Sequence, residues 1–180
     1  AVACGDGRDV EDRVDADACG IGPVLNIAAI AAGYGGIHVV DVSNPNIPTL
    51  RHTINFDSSA LVVKDGVAFA ANGASIRVFD LLTGDLVQAL TPGTGTITTV
   101  ARDGETLFSV DSSRVLRAYR ITDSVLTLRS SLTLPAAGGR ITVGGGTAYI
   151  GAGSGGAQGF VTVNVSNPDA MVLLSGVDNA

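Results

Sequence analysis

The chain has 180 residues, enough for one domain with a real core, and its 46% hydrophobic content with positive mean hydropathy excludes a disordered polymer. No apolar run reaches the roughly 18–20 residues of a membrane-spanning helix. The net charge of −6 is concentrated at the start, where six acids face two arginines within the first nineteen residues, so neither leader nor body offers the basic face that nucleic acid requires.

Residues 1–23 read as an acidic leader containing both cysteines, Cys4 and Cys19. Their spacing is not CxxC and no Cys-His cluster follows, so zinc and haem are not indicated. A disulfide between them would close a loop of about 15 residues and imply an oxidising compartment. The stretch "AVAC" also resembles the tail of a bacterial lipobox, with Cys4 as the lipidated residue and the acidic stretch as a tether. A third reading is a plain linker with two thiols. The acids at Asp6, Asp9, Asp12 and Asp15 are weak Ca²⁺ candidates, because an EF-hand loop needs alternate acids, a sixth-position glycine and a twelfth-position glutamate.

The body, residues 24–180, repeats itself. "GIHVVDVSNP" (36–45) returns as "GFVTVNVSNP" (159–168), with six of ten positions identical and an offset of 123. Between them lie "IRVFD" (76–80) and "LRAYR" (116–120), so the offset divides into steps of 39, 40 and 44. A second series, "KDGVAFAANG", "RDGETLFSVD" and "VGGGTAYIGAG", runs in phase. The units fall at about 24–57, 58–95, 96–138 and 139–177. The second predicts four strands, "SALVVKDG", "VAFAAN", "SIRVFDLL" and "DLVQAL", with Asp65-Gly66 as a hairpin turn. The first predicts three, "NIAAIAAG", "GIHVVDV" and "TLRHTIN", for about fifteen in all. Ser43, Asn44 and Pro45, like Ser166, Asn167 and Pro168, form a turn that ends the third strand of its unit, since proline presets φ and Ser and Asn bond their own backbone.

Strands such as "ALVV" and "VAFAA" are apolar on both faces, so each small sheet must lie between neighbours. Four-stranded antiparallel sheets with a period of about 41 residues predict an all-β fold, a β-propeller of about four blades. A β-sandwich leaves the period unexplained, and a parallel solenoid would not use Asp-Gly hairpins. "GIHVVDVSNPNIPTLRH" and "GFVTVNVSNPDAMVLL" resemble LVIVD repeats, closely in the first and last units and loosely in the middle two, where "DLLTGD" is more like a quinoprotein or WD-type turn. That resemblance implies a bacterial or archaeal propeller that is secreted or surface-bound. A seven-bladed ring at this period takes about 290 residues. The chain is therefore expected to be a fragment of a longer ring, a closed four-bladed ring, or half of a ring completed by another chain. The first and third are favoured, because an open blade face exposes apolar surface.

Catalytic chemistry is sparse. His38 and His52 lie in strands without a paired carboxylate, "GAGSGGAQG" (151–159) has no lysine or helix after it to make a phosphate loop, and no GxSxG or HExxH occurs. Arg102, Arg114, Arg117, Arg120 and Arg129 crowd the third unit as strand-edge charges or as an anion- or carbohydrate-binding surface. Aromatics are 4% with no Trp, which argues against sugar stacking. "NVS" at Asn164 fits a glycosylation sequon but falls within a predicted strand. The expected function is a non-enzymatic, extracytoplasmic propeller for interaction or assembly, with a protein partner or itself, without a cofactor or transmembrane segment and with Cys4 as the candidate lipid anchor. The alternatives are a quinoprotein or lactonase-like enzyme with a metal or cofactor at the central channel, and a subunit of a surface filament or shell.

Overall fold

A computed structural model describes residues 19–22, 26–136, 138–152 and 159–175. They form sixteen strands in four separate four-stranded antiparallel sheets, each following chain order from inner to outer edge. Blade 1 holds β1 (Cys19–Gly22), β2 (Ile27–Ala31), β3 (Ile37–Asp41) and β4 (Thr49–Ile54). Blade 2 holds β5 (Ala60–Lys64), β6 (Val67–Asn72), β7 (Ser75–Asp80) and β8 (Leu86–Leu90). Blade 3 holds β9 (Ile97–Asp103), β10 (Thr106–Asp111), β11 (Val115–Thr122) and β12 (Val125–Thr133). Blade 4 holds β13 (Gly138–Gly144), β14 (Thr147–Ala152), β15 (Phe160–Asn164) and β16 (Val172–Ser175). The all-β architecture of four-stranded blades is the one the repeats predict. One strand is new: β1 lies inside the stretch read as leader, so the first blade has four strands and its inner edge begins before residue 24. "CGIG" is too short and glycine-rich to carry an alternating pattern, and pairing with β2 defines it as a strand.

Local chemistry sets the hairpins. Asp65 and Gly66 both have positive φ, 48° and 79°, the mirror-image turn whose twist matches the flanking strands. At Gly36, with φ +84°, an added Cβ would run into the carbonyl oxygen of Ile54, so the approach of β3 to β4 requires glycine there.

Every blade shares one irregularity at the same place, and blades 3 and 4 have a second between their first two strands, at Val110/Asp111 and Gly138/Ile141. The ladder between third and fourth strands shifts at Val39/Val40, Val78/Phe79, Ala118/Tyr119 and Thr162/Val163. Each is a β-bulge, which bends and further twists the outer strand. The bulged residues are Arg51, Val87, Arg129 and Leu174.

The core consists of three apolar clusters, one per junction. Ala29, Ile37 and Val39 of blade 1 meet Leu61, Ala68 and Phe79 of blade 2. Phe69, Ile76 and Val78 of blade 2 meet Leu107, Tyr119 and Ile121 of blade 3. Phe108, Leu116 and Ala118 of blade 3 meet Ala148, Ile150 and Val163 of blade 4. Central strands are thus buried on both faces, and every side chain of β10 is buried. Inner strands lie side by side, β1 by β5, β5 by β9 and β9 by β13, whereas among the described residues blades 1 and 4 share no extended contact. The four blades form an open arc.

Candidate functional site

The bulge register places one residue of each outer strand at equivalent positions: His52 pairs with Val39, Gln88 with Val78, Ser130 with Ala118 and Ser175 with Thr162. Two of them clasp the next blade. The Gln88 amide donates to the Leu126 carbonyl at 3.1 Å and accepts the Leu126 N–H at 2.7 Å. Ser130 Oγ donates to the Pro168 carbonyl at 2.6 Å. The bulged Arg129 beside it forms a two-pronged ion pair with Asp169, Nε to Oδ1 at 2.7 Å, which holds the exposed Asp169 carboxyl below its usual range. His52 has the same place at the first junction, with its ring against Gly84 of blade 2. Its Nε2 is buried without a hydrogen-bond partner among the described residues. Ser175 finds no following blade and shares a 2.7 Å hydrogen bond with Thr162 on its own sheet.

Gln88→Ala removes two partly buried hydrogen bonds and leaves both Leu126 backbone groups in want of partners. The expected cost is about 1–3 kcal/mol in urea unfolding, with Val87→Ala on the neighbouring exposed position within about 0.5 kcal/mol.

The signature turns are built alike. In blade 1 Asp41 Oδ1 accepts the Ser43 N–H at 2.9 Å and Asn44 Oδ1 accepts the Asn46 N–H at 3.1 Å. In blade 4 Asn164 Oδ1 accepts the Ser166 N–H at 3.0 Å and Asn167 Oδ1 accepts the Asp169 N–H at 3.2 Å. These are two consecutive Asx turns, the second with Pro45 or Pro168 as its central residue to fix the backbone. The blade 4 turn has a second use, because Pro168 and Asp169 receive the clasp from blade 3. The corresponding Pro45 and Asn46 face no earlier blade.

The blade 4 end of the arc exposes what every junction buries, whereas at the blade 1 end the central-strand Ala28 is only 6% exposed and the exposure lies on the outer strand. Tyr149, opposite Thr162, has the register position of Ala29, Phe69 and Phe108, and Phe160 that of Ile37, Ile76 and Leu116. The six counterparts are buried; Tyr149 is 49% and Phe160 69% exposed. At the other end Ala28, paired with Val40, matches Ala68, Leu107 and Ala148, the residues that receive the preceding blade. Outer-strand Leu50 on this face is 61% exposed. His38, in the same face, bonds Thr53 Oγ1 at 3.0 Å.

The arginines do not converge. Arg102 bonds the Gly104 carbonyl, Arg114 the Pro135 carbonyl, and Arg129 belongs to the clasp. Arg117 is partly buried against Asp111, whose other oxygen accepts the N–H groups of Ser113 and Val115. This network lies against the β8–β9 connection, where a Cβ on Gly93 would press on the Arg117 guanidinium. The inner strands β5, β9 and β13 line a groove of about 460 Å³ whose described walls carry Arg102, Arg140, serine and threonines but no carboxylate or imidazole. Among the described residues no group of three or more His, Cys, Asp or Glu could hold a metal ion, and no helix is long and apolar enough to cross a membrane. Cys4, Asp6, Asp9, Asp12 and Asp15 lie outside the described residues, as do 153–158 of the glycine-rich stretch. Cys19 opens β1.

Residues 26–55 and 138–179 match the LVIVD repeat. These two stretches carry the LVIVD repeat. They coincide with blades 1 and 4, the two that contain the paired Asx turns. No curated protein matches this chain in sequence. Among solved structures it superposes on the computationally designed Ika8 protein with a TM-score of 0.66 and 17% identity over 83% of this chain and 45% of that one. It is similar to the Cps50 (Swd1) β-propeller domain of Myceliophteria thermophila, with a TM-score of 0.66 and 13% identity over 83% and 55%. BamB from Moraxella catarrhalis gives 0.64 and 15% over 77% and 40%. At these identities the likeness is one of fold, and the chain spans about half the length of each.

Proposed function

We propose that this propeller is a non-catalytic, extracytoplasmic interaction and assembly module that works through the apolar face of blade 4 carrying Tyr149 and Phe160. The observation that carries the reading is the exposure of Tyr149 and Phe160 in positions where the other blades bury apolar side chains. Exposed apolar groups aligned on a sheet face mark an interaction surface. Rigid stacked blades hold that surface without any ordering cost at the moment of binding. The two cysteines and the LVIVD resemblance support an oxidising, extracytoplasmic setting.

Radical footprinting tests this. Oxidation of Tyr149 and Phe160 should fall several-fold when the protein is concentrated or incubated with cell-envelope extract. Unchanged oxidation under both conditions overturns the reading.

A further inference from the structure

We infer that Asn164 is the attachment site of an N-linked glycan, taken up by its amide nitrogen from a polyprenyl-pyrophosphate-linked sugar. Such transfer takes place on the far side of a membrane, so the assignment rests on the extracytoplasmic setting proposed above.

Asn164-Val165-Ser166 is an acceptor tripeptide, an asparagine and a hydroxyl residue with no proline between them. Inside a strand a bulky sugar would have no room. In the structure Asn164 is the last residue of β15, and it is exposed. That exposure belongs to the position and not to the open end of the arc. Arg120 has the same register in blade 3, opposite Thr106 as Asn164 is opposite Thr147, and it is exposed although blade 4 packs on that blade. A group attached here lies at the rim of the blade. It is roughly 13 Å along β15 from Phe160, at about 3.3 Å per residue, and leaves the apolar end of the face free.

The amide nitrogen has no other task. Blades 1, 2 and 4 end their third strands with the same device, a side-chain Oδ1 that accepts backbone N–H groups just downstream. Asp41 does so for Ser43, Asp80 for Leu82 and Thr83, and Asn164 for Ser166. A carboxylate serves at Asp41 and Asp80, so the turn needs the oxygen alone. Ser166 Oγ also donates to the Asn164 Oδ1, at 2.6 Å. What distinguishes Asn164 from its two counterparts is Nδ2, and that atom makes no hydrogen bond among the described residues.

In the transfer, Nδ2 attacks the anomeric carbon of the sugar. The N–C bond forms as the bond from that carbon to the pyrophosphate oxygen breaks. Nδ2 gives one proton to a base of the transferase, and the polyprenyl pyrophosphate leaves with the bonding pair. Val165 is 4% exposed and its N–H donates to the Gly146 carbonyl at 2.8 Å, so the acceptor segment is reached before blade 4 closes.

Mass spectrometry of the protein isolated from its own cells reads the modification, and fractionation of those cells reads its location. The peptide covering Asn164 should carry the mass of a sugar chain on that residue, in a protein recovered outside the cytoplasm. Asn164→Asp should abolish the added mass and leave the unfolding midpoint of the sugar-free chain unchanged, because Asp41 and Asp80 build the same turn. Ser166→Ala should also abolish it, and Ser166→Thr should retain it. An unmodified Asn164 in a protein found outside the cytoplasm overturns the inference and leaves the proposed setting standing. A protein found in the cytoplasm overturns both. A sugar that persists in Asn164→Asp sits on another residue and overturns the assignment.

Discussion

Phe108→Ala is expected to destabilise the protein by about 3–5 kcal/mol, the range for emptying a fully buried phenylalanine site. Phe108 is 1% exposed on β10, between Leu116 and Ala118 of its own blade and Ala148, Ile150 and Val163 of the next. The blades are joined by face packing with few covalent or polar ties, so the cavity cannot be filled without moving a whole sheet. Urea unfolding reads the loss directly. Tyr149→Ala is the internal control, for it removes the ring at the equivalent register of blade 4, where the side chain is half exposed. In the isolated single chain it should cost under about 1 kcal/mol. Equal losses for the two variants would mean that the end face is already covered within one chain, contrary to the open arc.

Asp111→Ala should cost a similar 3–5 kcal/mol, for a different reason. The Asp111 side chain is 1% exposed and that of Arg117 11%, and their ion pair is accompanied by the Ser113 and Val115 N–H groups on the carboxylate. Removing the acid leaves a guanidinium without its counter-charge in a nearly dry place and two backbone donors without acceptors. Replacing both partners should be milder than losing one, because an apolar pair carries no stranded charge. Asp111→Ala combined with Arg117→Met is therefore expected to recover part of the loss in a double-mutant cycle. If the double variant is as unstable as the sum of the two singles, the buried pair is not the source of the effect.

The repeat was plain in the residues because the same local chemistry recurs wherever a strand must stop. Asp41-Val-Ser-Asn-Pro and Asn164-Val-Ser-Asn-Pro each write two Asx turns and a proline in consecutive letters, and Asp65-Gly66 writes a hairpin in two. The four positions paired at the bulge, two of which clasp the next blade, were invisible to the same reading. His52, Gln88, Ser130 and Ser175 lie 11, 8, 10 and 11 residues after the ends of the "IHVVD" echoes, because the turns before the fourth strand differ in length. A period in sequence cannot align them; the bulge register does. Cys19–Gly22 was missed as a strand because four residues with two glycines have no pattern of their own. The arginines of the third unit read as strand-edge charges or as one binding surface, and their spacing alone does not choose between the two. Alternate positions on twisted strands send such side chains to different faces, and Arg117 turned inward to Asp111 while Arg129 turned outward to Asp169.

The residues alone determined that this protein is built of four similar β-units and where most strands end, since alternation and turn chemistry act over fewer than ten residues. Whether the four units close on themselves could not be decided at that range. Closure depends on the angle each blade makes with the next and on which side chains end up with a neighbour, and only the packed sheets place Tyr149 and Phe160 on an open face while Phe69 and Phe108 are enclosed.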